Sequence, residues 1–256
     1  MANYFGDAPV LALAARQESK GGDPVKDALY IIARAPRAGF AKTRLGKDLG
    51  DERAVELYKA FLADLGARFS NSPFPLGWYV TPSDGWPEIS ELVGGGGRVL
   101  FQGDGDLTRR QRDFFLGAES RGEGRVVLMA ADSPQLGVGV VEEAFRLLEE
   151  RDIVIGPTYD GGYYLVAMSR PHNVFEGPMS TGVELDDVIK RAERSGLSVG
   201  LLEATFDVDV ADDLRHLIQP ALERADLAAT RAALEDLGLL EDPPSGGGVG
   251  ECVGEA

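Results

Sequence analysis

Cysteine and histidine are scarce in this sequence of 256 residues, and each shortage excludes a kind of site. The single cysteine, Cys252, rules out an intrachain disulfide framework and a zinc site built on cysteines, which fits a reducing cytoplasm. The two histidines, His172 and His216, are not spaced as metal ligands. Neither has the neighbours that a Ser-His-Asp or Cys-His nucleophilic centre would need. We therefore expect a cytoplasmic protein without nucleophilic catalysis of that type.

Positive charge is also in short supply. Lysine and arginine together number 26 against 42 acidic residues, so the formal net charge is -16. A nucleic-acid partner calls for a basic face, and an anionic membrane surface would repel this chain, so we expect neither partner. A small anionic substrate remains compatible with the composition where local cations or a metal ion offset the field.

Long hydrophobic runs are absent from the sequence. No apolar stretch reaches the roughly 18–20 residues that cross a bilayer. A short apolar patch at residues 10–15 follows Asp7, whereas a secretory signal would place positive charge before it. We interpret residues 1–26 as a poorly ordered or peripheral extension, with a peripheral helix over residues 9–19 as the alternative. Residues 241–256 have the composition of a disordered tail.

Between these ends, strand and helix patterns alternate along the chain. The predicted strands span residues 28–33, 76–81, 99–101, 125–131, 152–156, 163–168 and 197–202. The predicted helices span residues 51–69, 87–93, 107–119, 138–151, 184–195, 211–218 and 222–239. Alternation of this kind predicts one α/β domain over residues 27–240, with a mostly parallel sheet covered by helices on both faces. The strand over residues 163–168 is the candidate for a strand that runs antiparallel to the others.

The positive charge that exists is concentrated after the first predicted strand. Arg34, Arg37, Lys42 and Arg44 fall within eleven residues of one loop. Open α/β sheets bind ligands just beyond the carboxyl ends of their strands. Guanidinium and ammonium groups held there would suit phosphate oxygens, although a solvated basic loop would have the same composition.

Aspartates follow other predicted strands, and parallel topology should bring them to the same edge of the sheet. Asp132 ends the clearest strand, where a carboxylate can ligate Mg²⁺ or cap the following helix. Asp207 and Asp209 alternate along an extended segment, which places both carboxylates on one side. One of the two could complete a metal site, and the other could cap the next helix.

Two further stretches have both a ligand-binding and a structural interpretation. Asp160 precedes Gly161 and Gly162, where backbone could approach a ligand closely or simply turn between strands. Asp106 could contact substrate or cap the helix that follows it. Arg110, near the start of that helix, could reach a phosphate.

Several motifs together resemble one family. The sequence A-R-A-P-R-A-G-F-A-K-T-R-L is followed in order by A-A-D-S-P-Q-L, G-P-T-Y-D-G-G-Y-Y-L, F-E-G-P-M-S-T and D-V-D-V-A-D-D-L. In this order they resemble the DUF2064 family, within the GT-A-like nucleotide-diphospho-sugar transferase superfamily. The A-K-T-R-L and D-x-P elements are also similar to 2-phospho-lactate guanylyltransferases and molybdenum cofactor guanylyltransferases.

The resemblance implies roles for individual residues. Nucleotide phosphates would bind at the first loop and near Arg110, and the residues concerned are Ala33, Arg34, Gly39, Lys42, Arg44 and Arg110. A Mg²⁺ or Mn²⁺ ion would bind Asp132 together with Asp209 or Asp207. The acceptor would lie near Asp106, Asp160, Gly161, Gly162, Ser180 and Thr181. Lys42, Arg44 and Asp132 would carry the catalytic effect.

The activity we predict is Mg²⁺-dependent nucleotidyl transfer, in which a small anionic acceptor attacks the α-phosphate of an NTP. The alternative is a glycosyltransferase with a nucleotide-sugar donor on the same scaffold. A third hypothesis is a non-catalytic nucleotide-binding protein. Glycosyltransferases of this fold commonly carry an Asp-x-Asp pair at the metal strand. The lone Asp132 therefore favours nucleotidyl transfer. The oligomeric state stays open, with a homodimer as one option.

Overall fold

The computed structural model describes residues 27–177 and 182–240. The expectations for residues 1–26 and 241–256, and those for Ser180 and Thr181, lie outside the described residues. Seven strands form one sheet: β1 (Asp27–Arg34), β2 (Leu76–Thr81), β3 (Arg98–Phe101), β4 (Arg125–Ala130), β5 (Ile153–Pro157), β6 (Tyr163–Met168) and β7 (Val199–Leu201). Their order across the sheet is β3-β2-β1-β4-β6-β5-β7.

Eight α-helices connect or flank these strands. They are α1 (Thr43–Leu49), α2 (Asp51–Phe69), α3 (Trp86–Val93), α4 (Leu107–Leu116), α5 (Val138–Leu147), α6 (Glu184–Arg194), α7 (Leu214–Glu223) and α8 (Ala228–Asp236). Within the described ranges, no helix is both long enough and apolar enough to cross a membrane.

The sheet is mostly parallel, as predicted. Strand β1 pairs in parallel with β2 on one side and with β4 on the other. Only β6 among the seven strands runs the other way, because it pairs antiparallel with both β4 and β5. The carboxyl ends of β1, β2, β4 and β5 therefore meet at one edge, together with the start of β6. The loops that leave this edge carry the polar residues singled out from the sequence.

Side chains from alternate positions of β1 enter two separate cores. Leu29 and Ile31 pack into the larger core with residues of α2, such as Phe61 and Leu65. Tyr30 points to the opposite face, where it packs edge-on against Phe114 of α4 at a centroid distance of 5.1 Å. A strand that is buried on both faces explains the uninterrupted apolar run in the sequence. The predicted α/β sheet with helices on both faces is confirmed.

The helix boundaries differ from the prediction in two places. Residues 43–49 form α1, whereas the sequence pattern predicts a loop there. The boundary between the predicted helices over 211–218 and 222–239 lies later in the chain than expected, because α7 continues through Pro220 to Glu223. Leu214, Leu217 and Ala221 are buried on one face of α7, and this packing holds the helix despite the amide that proline lacks.

The end of the domain is tied to α2 by a side-chain cap. Helix α8 begins without a capping side chain of its own. Asp64 of α2 supplies the missing acceptors, since its carboxylate accepts hydrogen bonds from the backbone N–H groups of Ala229 at 3.0 Å and Thr230 at 2.8 Å. Two donors at the start of a helix are thereby satisfied by a buried aspartate.

Candidate active site at the carboxyl edge of the sheet

Lys42 lies at the centre of the polar edge. It is the residue before α1, and its backbone is left-handed, with φ 52° and ψ 39°. Among the described residues it is the one non-glycine with a positive φ. Such a conformation costs about 1–3 kcal/mol and persists only where surrounding contacts impose it. The contacts of the Lys42 side chain hold the residue in this conformation.

The ammonium group of Lys42 is enclosed by oxygen atoms. Its side chain is 4% exposed, and Nζ donates to the carbonyl oxygen of Val208 at 2.6 Å. Nζ also pairs with Asp209 Oδ1 at 3.3 Å and with a carboxylate oxygen of Asp132. Burial by itself lowers the pKa of Lys42, but the carboxylates of Asp132 and Asp209 outweigh it and raise the pKa above its ordinary value. Lys42 is therefore a charged cation between the carboxylates of Asp132 and Asp209.

Asp132 follows β4, and its carboxylate is directed to Lys42. Helix α5 begins further along the chain, with Gly137 at its N-cap and no side-chain cap. The capping alternative for Asp132 is therefore not what the structure shows. The backbone carbonyl of Asp132 accepts a hydrogen bond from the N–H of Val208 at 3.0 Å, which joins the two acidic segments. The Asp132 side chain remains 41% exposed, so one side of it is open to a ligand.

Asp209 faces the same group of cations. One carboxylate oxygen contacts Lys42, and the other accepts from Arg44 at 2.9 Å. The capping role considered for Asp209 belongs to Asp213, whose carboxylate accepts from the N–H groups of Asp209 at 2.8 Å and Val210 at 2.9 Å. With the backbone held in this way, the Asp209 side chain is left for the two cations.

Asp207 is the most perturbed carboxyl group at this edge. Burial is the largest cause, and the negative charges of Asp209, Asp160 and Asp132 add to it, so that the pKa of Asp207 rises to about 7. The carboxylates of Asp132, Asp160 and Asp209 are thus close enough to act on Asp207 electrostatically. The convergence of these aspartates was expected from parallel topology alone.

The cations of the first loop fall into two groups. Arg34 and Arg44 are exposed, with the Arg34 guanidinium donating to the carbonyl oxygen of Phe40 at 3.3 Å. Arg37 turns away and pairs with Glu88 at 2.6 Å and with Asp84 at 3.4 Å. The structure therefore separates Arg37 from the Lys42 group. No local sequence pattern predicts this division, because the partners of Arg37 lie some 50 residues away along the chain.

Two small residues of this loop have backbone roles. Gly39 adopts a positive φ of 69°, which glycine accommodates without strain, and it forms the turn that leads back to Lys42. Ala33 is 2% exposed and lies within β1, paired with Val80 of β2. Its side chain belongs to the core, so a contact of Ala33 with a phosphate would have to come from its backbone.

The Asp160 turn borders the acidic edge. Asp160 Oδ1 accepts from the hydroxyl of Thr158 at 2.6 Å and from the N–H of Gly162 at 3.1 Å, as in a tight turn. Gly161 has a φ of 91°, and a Cβ atom there would collide with the carbonyl oxygen of Gly182. Close backbone packing explains this glycine without a ligand. The negative charge of Asp160 also contributes to the raised pKa of Asp207.

Asp106 and Arg110 lie at the start of α4. Asp106 is the N-cap, and its Oδ1 accepts from the N–H of Arg109 at 2.8 Å, so the capping alternative describes its contact. The Arg110 guanidinium is 3.3 Å from Gln102 Oε1 and 3.5 Å from Thr81 Oγ1. Since Thr81 ends β2, Arg110 is at the same edge as Lys42. Its Nε atom is buried without a partner among the described residues.

The donor set suits a hard divalent cation in its chemistry. Asp132, Asp209 and the Val208 carbonyl offer only oxygen atoms, which Mg²⁺ and Mn²⁺ prefer. A cation already lies among them in the form of the Lys42 ammonium group. Within residues 27–177 and 182–240, however, no three acidic, histidine or cysteine side chains are arranged as a ready metal site. The residues fit a metal by charge and atom type, and Asp132 and Asp209 are the side chains that would hold it.

Two contributors to the site have no clear signal in the sequence. The Val208 carbonyl oxygen accepts from Lys42, but it is a backbone atom, and the apolar side chain of valine does not indicate a polar contact. Arg68 lies in the last turn of α2, where a cation suits the helix dipole. Its guanidinium donates to the carbonyl oxygens of Pro134 at 2.7 Å and Leu136 at 2.8 Å and so holds the loop after Asp132.

Comparisons with known proteins agree with this architecture. The model of the family described as "Uncharacterized protein conserved in bacteria (DUF2064)" matches residues 70–181, a range that contains the Asp132 and Asp160 motifs. The resemblance to DUF2064 is therefore confirmed over that range. No curated protein sequence matches the chain significantly.

Solved structures extend the likeness to most of the chain. A protein from Desulfovibrio desulfuricans G20, provisionally described as a nucleotide-diphospho-sugar transferase, is 27% identical, with a TM-score of 0.73 over 82% of this chain and 96% of that one. A cytidylyltransferase from Leptospira borgpetersenii serovar Hardjo-bovis is 15% identical, with a TM-score of 0.53 over 84% of this chain and 94% of that one. The chain is thus similar to DUF2064 proteins over residues 70–181, and its fold is the GT-A-like fold of nucleotide-diphospho-sugar transferases and cytidylyltransferases.

Proposed function

We propose that this protein is a metal-dependent nucleotidyltransferase that moves a nucleoside monophosphate from an NTP to a small anionic acceptor. One observation carries the proposal. The buried Lys42 ammonium group lies between Asp132 and Asp209, with Arg44 beside it, at the carboxyl ends of β1 and β4. Positive groups and carboxylates meet there within hydrogen-bond distance, which is the combination that triphosphate and metal chemistry needs.

The exposed cations would bind the triphosphate. The side chain of Arg44 is 56% exposed, and Arg34 is exposed at the end of β1, so both can contact phosphate oxygens without unfolding the loop. Arg110 approaches from the ends of β2 and β3. Arginines on two sides of a phosphate chain restrict its orientation, and positioning is most of what phosphoryl chemistry requires of a protein.

Lys42 would stabilise charge that develops on the leaving pyrophosphate. Its charge is fixed by burial among carboxylates, and its position is fixed by the hydrogen bond to Val208. A preorganised cation of this kind stabilises a transition state without having to reorganise at the moment of reaction. A divalent ion bound by Asp132 and Asp209 would supply further neutralisation of the phosphate oxygens.

The acceptor would bind beside the Asp160 turn. Asp160, Gly161 and Gly162 join β5 to β6, and in the sheet these two strands lie on the other side of β4 from β1 and its loop. An acceptor there would approach the α-phosphate from across the cluster. Asp106, Ser180 and Thr181 remain further candidates for contacts to it.

Glycosyl transfer is the second candidate function. It is favoured by the likeness to the Desulfovibrio desulfuricans protein, which is described as a nucleotide-diphospho-sugar transferase. Both activities would use the cationic loop for phosphates and Asp132 for a metal. They differ in the number of phosphates held, because an NTP brings three and a nucleotide-sugar brings two.

A binding experiment on Asp132→Asn tests the proposal. The neutral amide keeps the shape of the side chain but is a weaker ligand for a hard cation, so we expect the fold to persist and Mg²⁺-dependent NTP binding to be lost. Thermal shift with NTP and Mg²⁺, compared with NTP alone, measures the effect, since a ligand bound by the folded state raises its stability. Equal metal-dependent shifts in parent and variant would contradict the assignment of Asp132 as a metal ligand.

A further inference from the structure

The loop between β4 and α5 carries Asp132 and contains no helix or strand of its own. Three consecutive carbonyl oxygens of this loop accept hydrogen bonds from arginine side chains outside it. Arg68 Nη1 donates to the first at 2.7 Å and to the third at 2.8 Å, and Arg224 Nη1 donates to the second. The three acceptors are, in chain order, Pro134, Gln135 and Leu136. The backbone that follows Asp132 is therefore held by two guanidinium groups.

One carboxylate joins the two arginines. Asp226 Oδ2 pairs with Arg68 Nε at 2.6 Å and with Arg224 Nη2 at 2.8 Å. The Arg68 side chain is only 6% exposed, so its charge needs a partner within the protein. The planar guanidinium has donors on several edges, which lets Arg68 contact Asp226 and the loop at the same time. Arg68, Arg224 and Asp226 thus form one unit, the Asp226 cluster.

The same loop is bonded to the segment that carries Asp209. The side-chain amide of Gln135 donates to the carbonyl oxygen of Phe206 at 2.6 Å. The N–H of Val208 donates to the carbonyl oxygen of Asp132 at 3.0 Å. The loop is held both by the Asp226 cluster and by residues 206–208, so its conformation determines where the Asp132 carboxylate lies relative to that of Asp209.

We infer that the Asp226 cluster is a positioning unit, which holds Asp132 opposite Asp209 at the separation that a bound divalent cation requires. In the described part of the chain no hydrogen bond or ion pair joins the cluster to Asp132, Asp209 or Lys42, so its effect passes through the backbone of the loop. The inference rests on the proposed function in one respect, namely that these two carboxylates hold a metal. Replacement of residues that orient metal ligands commonly weakens metal binding by about 10- to 100-fold.

Amide hydrogen exchange of the full chain without metal tests the positioning role. The readout is exchange at the N–H of Val208, which donates to Asp132, divided by exchange at Ile31 in the middle of β1, which reports on opening of the whole domain. In Arg68→Met this ratio should rise at least about fivefold, because the loop loses two of its donors. Arg224→Met, with a side chain that is 34% exposed in the parent, should raise the ratio in the same direction. An unchanged ratio in both variants, with exchange at the two amides unaltered or accelerated equally, would show a purely structural role and overturn the inference.

Asp64→Ala is the matched control. Asp64 lies one turn before Arg68 on α2, and its carboxylate caps α8. Its loss weakens the attachment of the same end of the domain but removes no donor from the loop. The exchange ratio should therefore stay within about twofold of the parent value. A rise in Asp64→Ala as large as that in Arg68→Met would show that the attachment of α8, and not the arginines, holds the loop.

Titration with Mn²⁺ in the absence of nucleotide separates this inference from the proposed function. Arg68→Met and Arg224→Met should bind Mn²⁺ about tenfold more weakly than the parent, and Asp64→Ala should bind it like the parent. Parent-like affinity in both arginine variants would overturn the inference and leave the proposed function intact. A parent that binds no Mn²⁺ would contradict the proposed function, and the exchange ratio at Val208 would still decide whether the Asp226 cluster positions Asp132.

Discussion

Replacement of Lys42 by methionine probes the centre of the site, because methionine has a similar length but carries no charge. The ammonium group makes one hydrogen bond to the Val208 carbonyl and pairs with Asp132 and Asp209. Loss of one partner from a buried ion pair costs about 3–5 kcal/mol. The side chains of Asp132 and Asp209 are 41% and 32% exposed, so water compensates part of this loss. We expect a decrease of about 2 kcal/mol in the free energy of unfolding, which is smaller than for a fully buried pair.

Urea denaturation at neutral pH measures the change, and a divalent cation provides a second readout. In Lys42→Met the two carboxylates lack their internal counter-ion, so 5 mM Mn²⁺ should stabilise the variant more than the parent. Lys47→Met is the matched control, because Lys47 is exposed on α1. A loss below about 0.5 kcal/mol, as is usual for surface substitutions, would refute the account of Lys42 as the counter-ion. Equal stabilisation of both proteins by Mn²⁺ would refute the claim that a divalent cation binds between Asp132 and Asp209.

Three further predictions concern stability away from the site. Asp64→Ala should cost about 2 kcal/mol in urea denaturation, since two N–H groups at the start of α8 lose their acceptor, and Asp64→Asn should cost less. Glu123→Gln should cost about 2–4 kcal/mol, because its carboxylate is 0% exposed and accepts from Tyr30 at 2.5 Å and from two arginines; an unchanged midpoint would contradict this. Hydrogen bonds from two arginines, first Arg224, lower the pKa of Asp226 from 3.8 to about 2. Because its pKa is lower in the folded state, ionised Asp226 contributes to the free energy of unfolding above pH 4, and this contribution is lost as the pH falls towards 2. Between pH 4 and pH 2 the stability of Asp226→Asn should therefore decrease by roughly 1 kcal/mol less than that of the parent.

The sheet could be predicted from the sequence because its strands carry a strong local signal. The run Leu29–Tyr30–Ile31–Ile32 is buried almost throughout, and a strand covered on both faces needs no polar alternation. Helix α1 could not be predicted because it begins after Lys42, whose backbone is left-handed. A lysine in a sequence does not indicate a left-handed backbone or the start of a helix. The end of α7 was placed too early because the buried face of the helix outweighs the effect of Pro220.

The site could be predicted in part for a similar reason. Parallel topology brings strand ends to one edge, so Lys42, Asp132 and Asp209 could be expected to meet without knowledge of any distance. Which partner each cation would choose depends on tertiary packing. Arg37 pairs with Glu88 on another helix, and no local pattern predicts that choice.

The most direct test of the central claim compares binding of NTPs with binding of nucleotide-sugars, because it needs no knowledge of the acceptor. Affinities for each NTP, the matching NDP and a set of nucleotide-sugars would be measured with Mg²⁺ on the parent, Lys42→Ala and Arg44→Ala. A nucleotidyltransferase should bind one NTP most tightly. Each substitution should weaken NTP binding by about 1.5–3 kcal/mol, the usual contribution of a hydrogen bond to a charged group, and NDP binding by clearly less. Tighter binding of a nucleotide-sugar than of any NTP, with its turnover to free NDP and no pyrophosphate released from any NTP, would contradict nucleotidyl transfer and establish glycosyl transfer in its place.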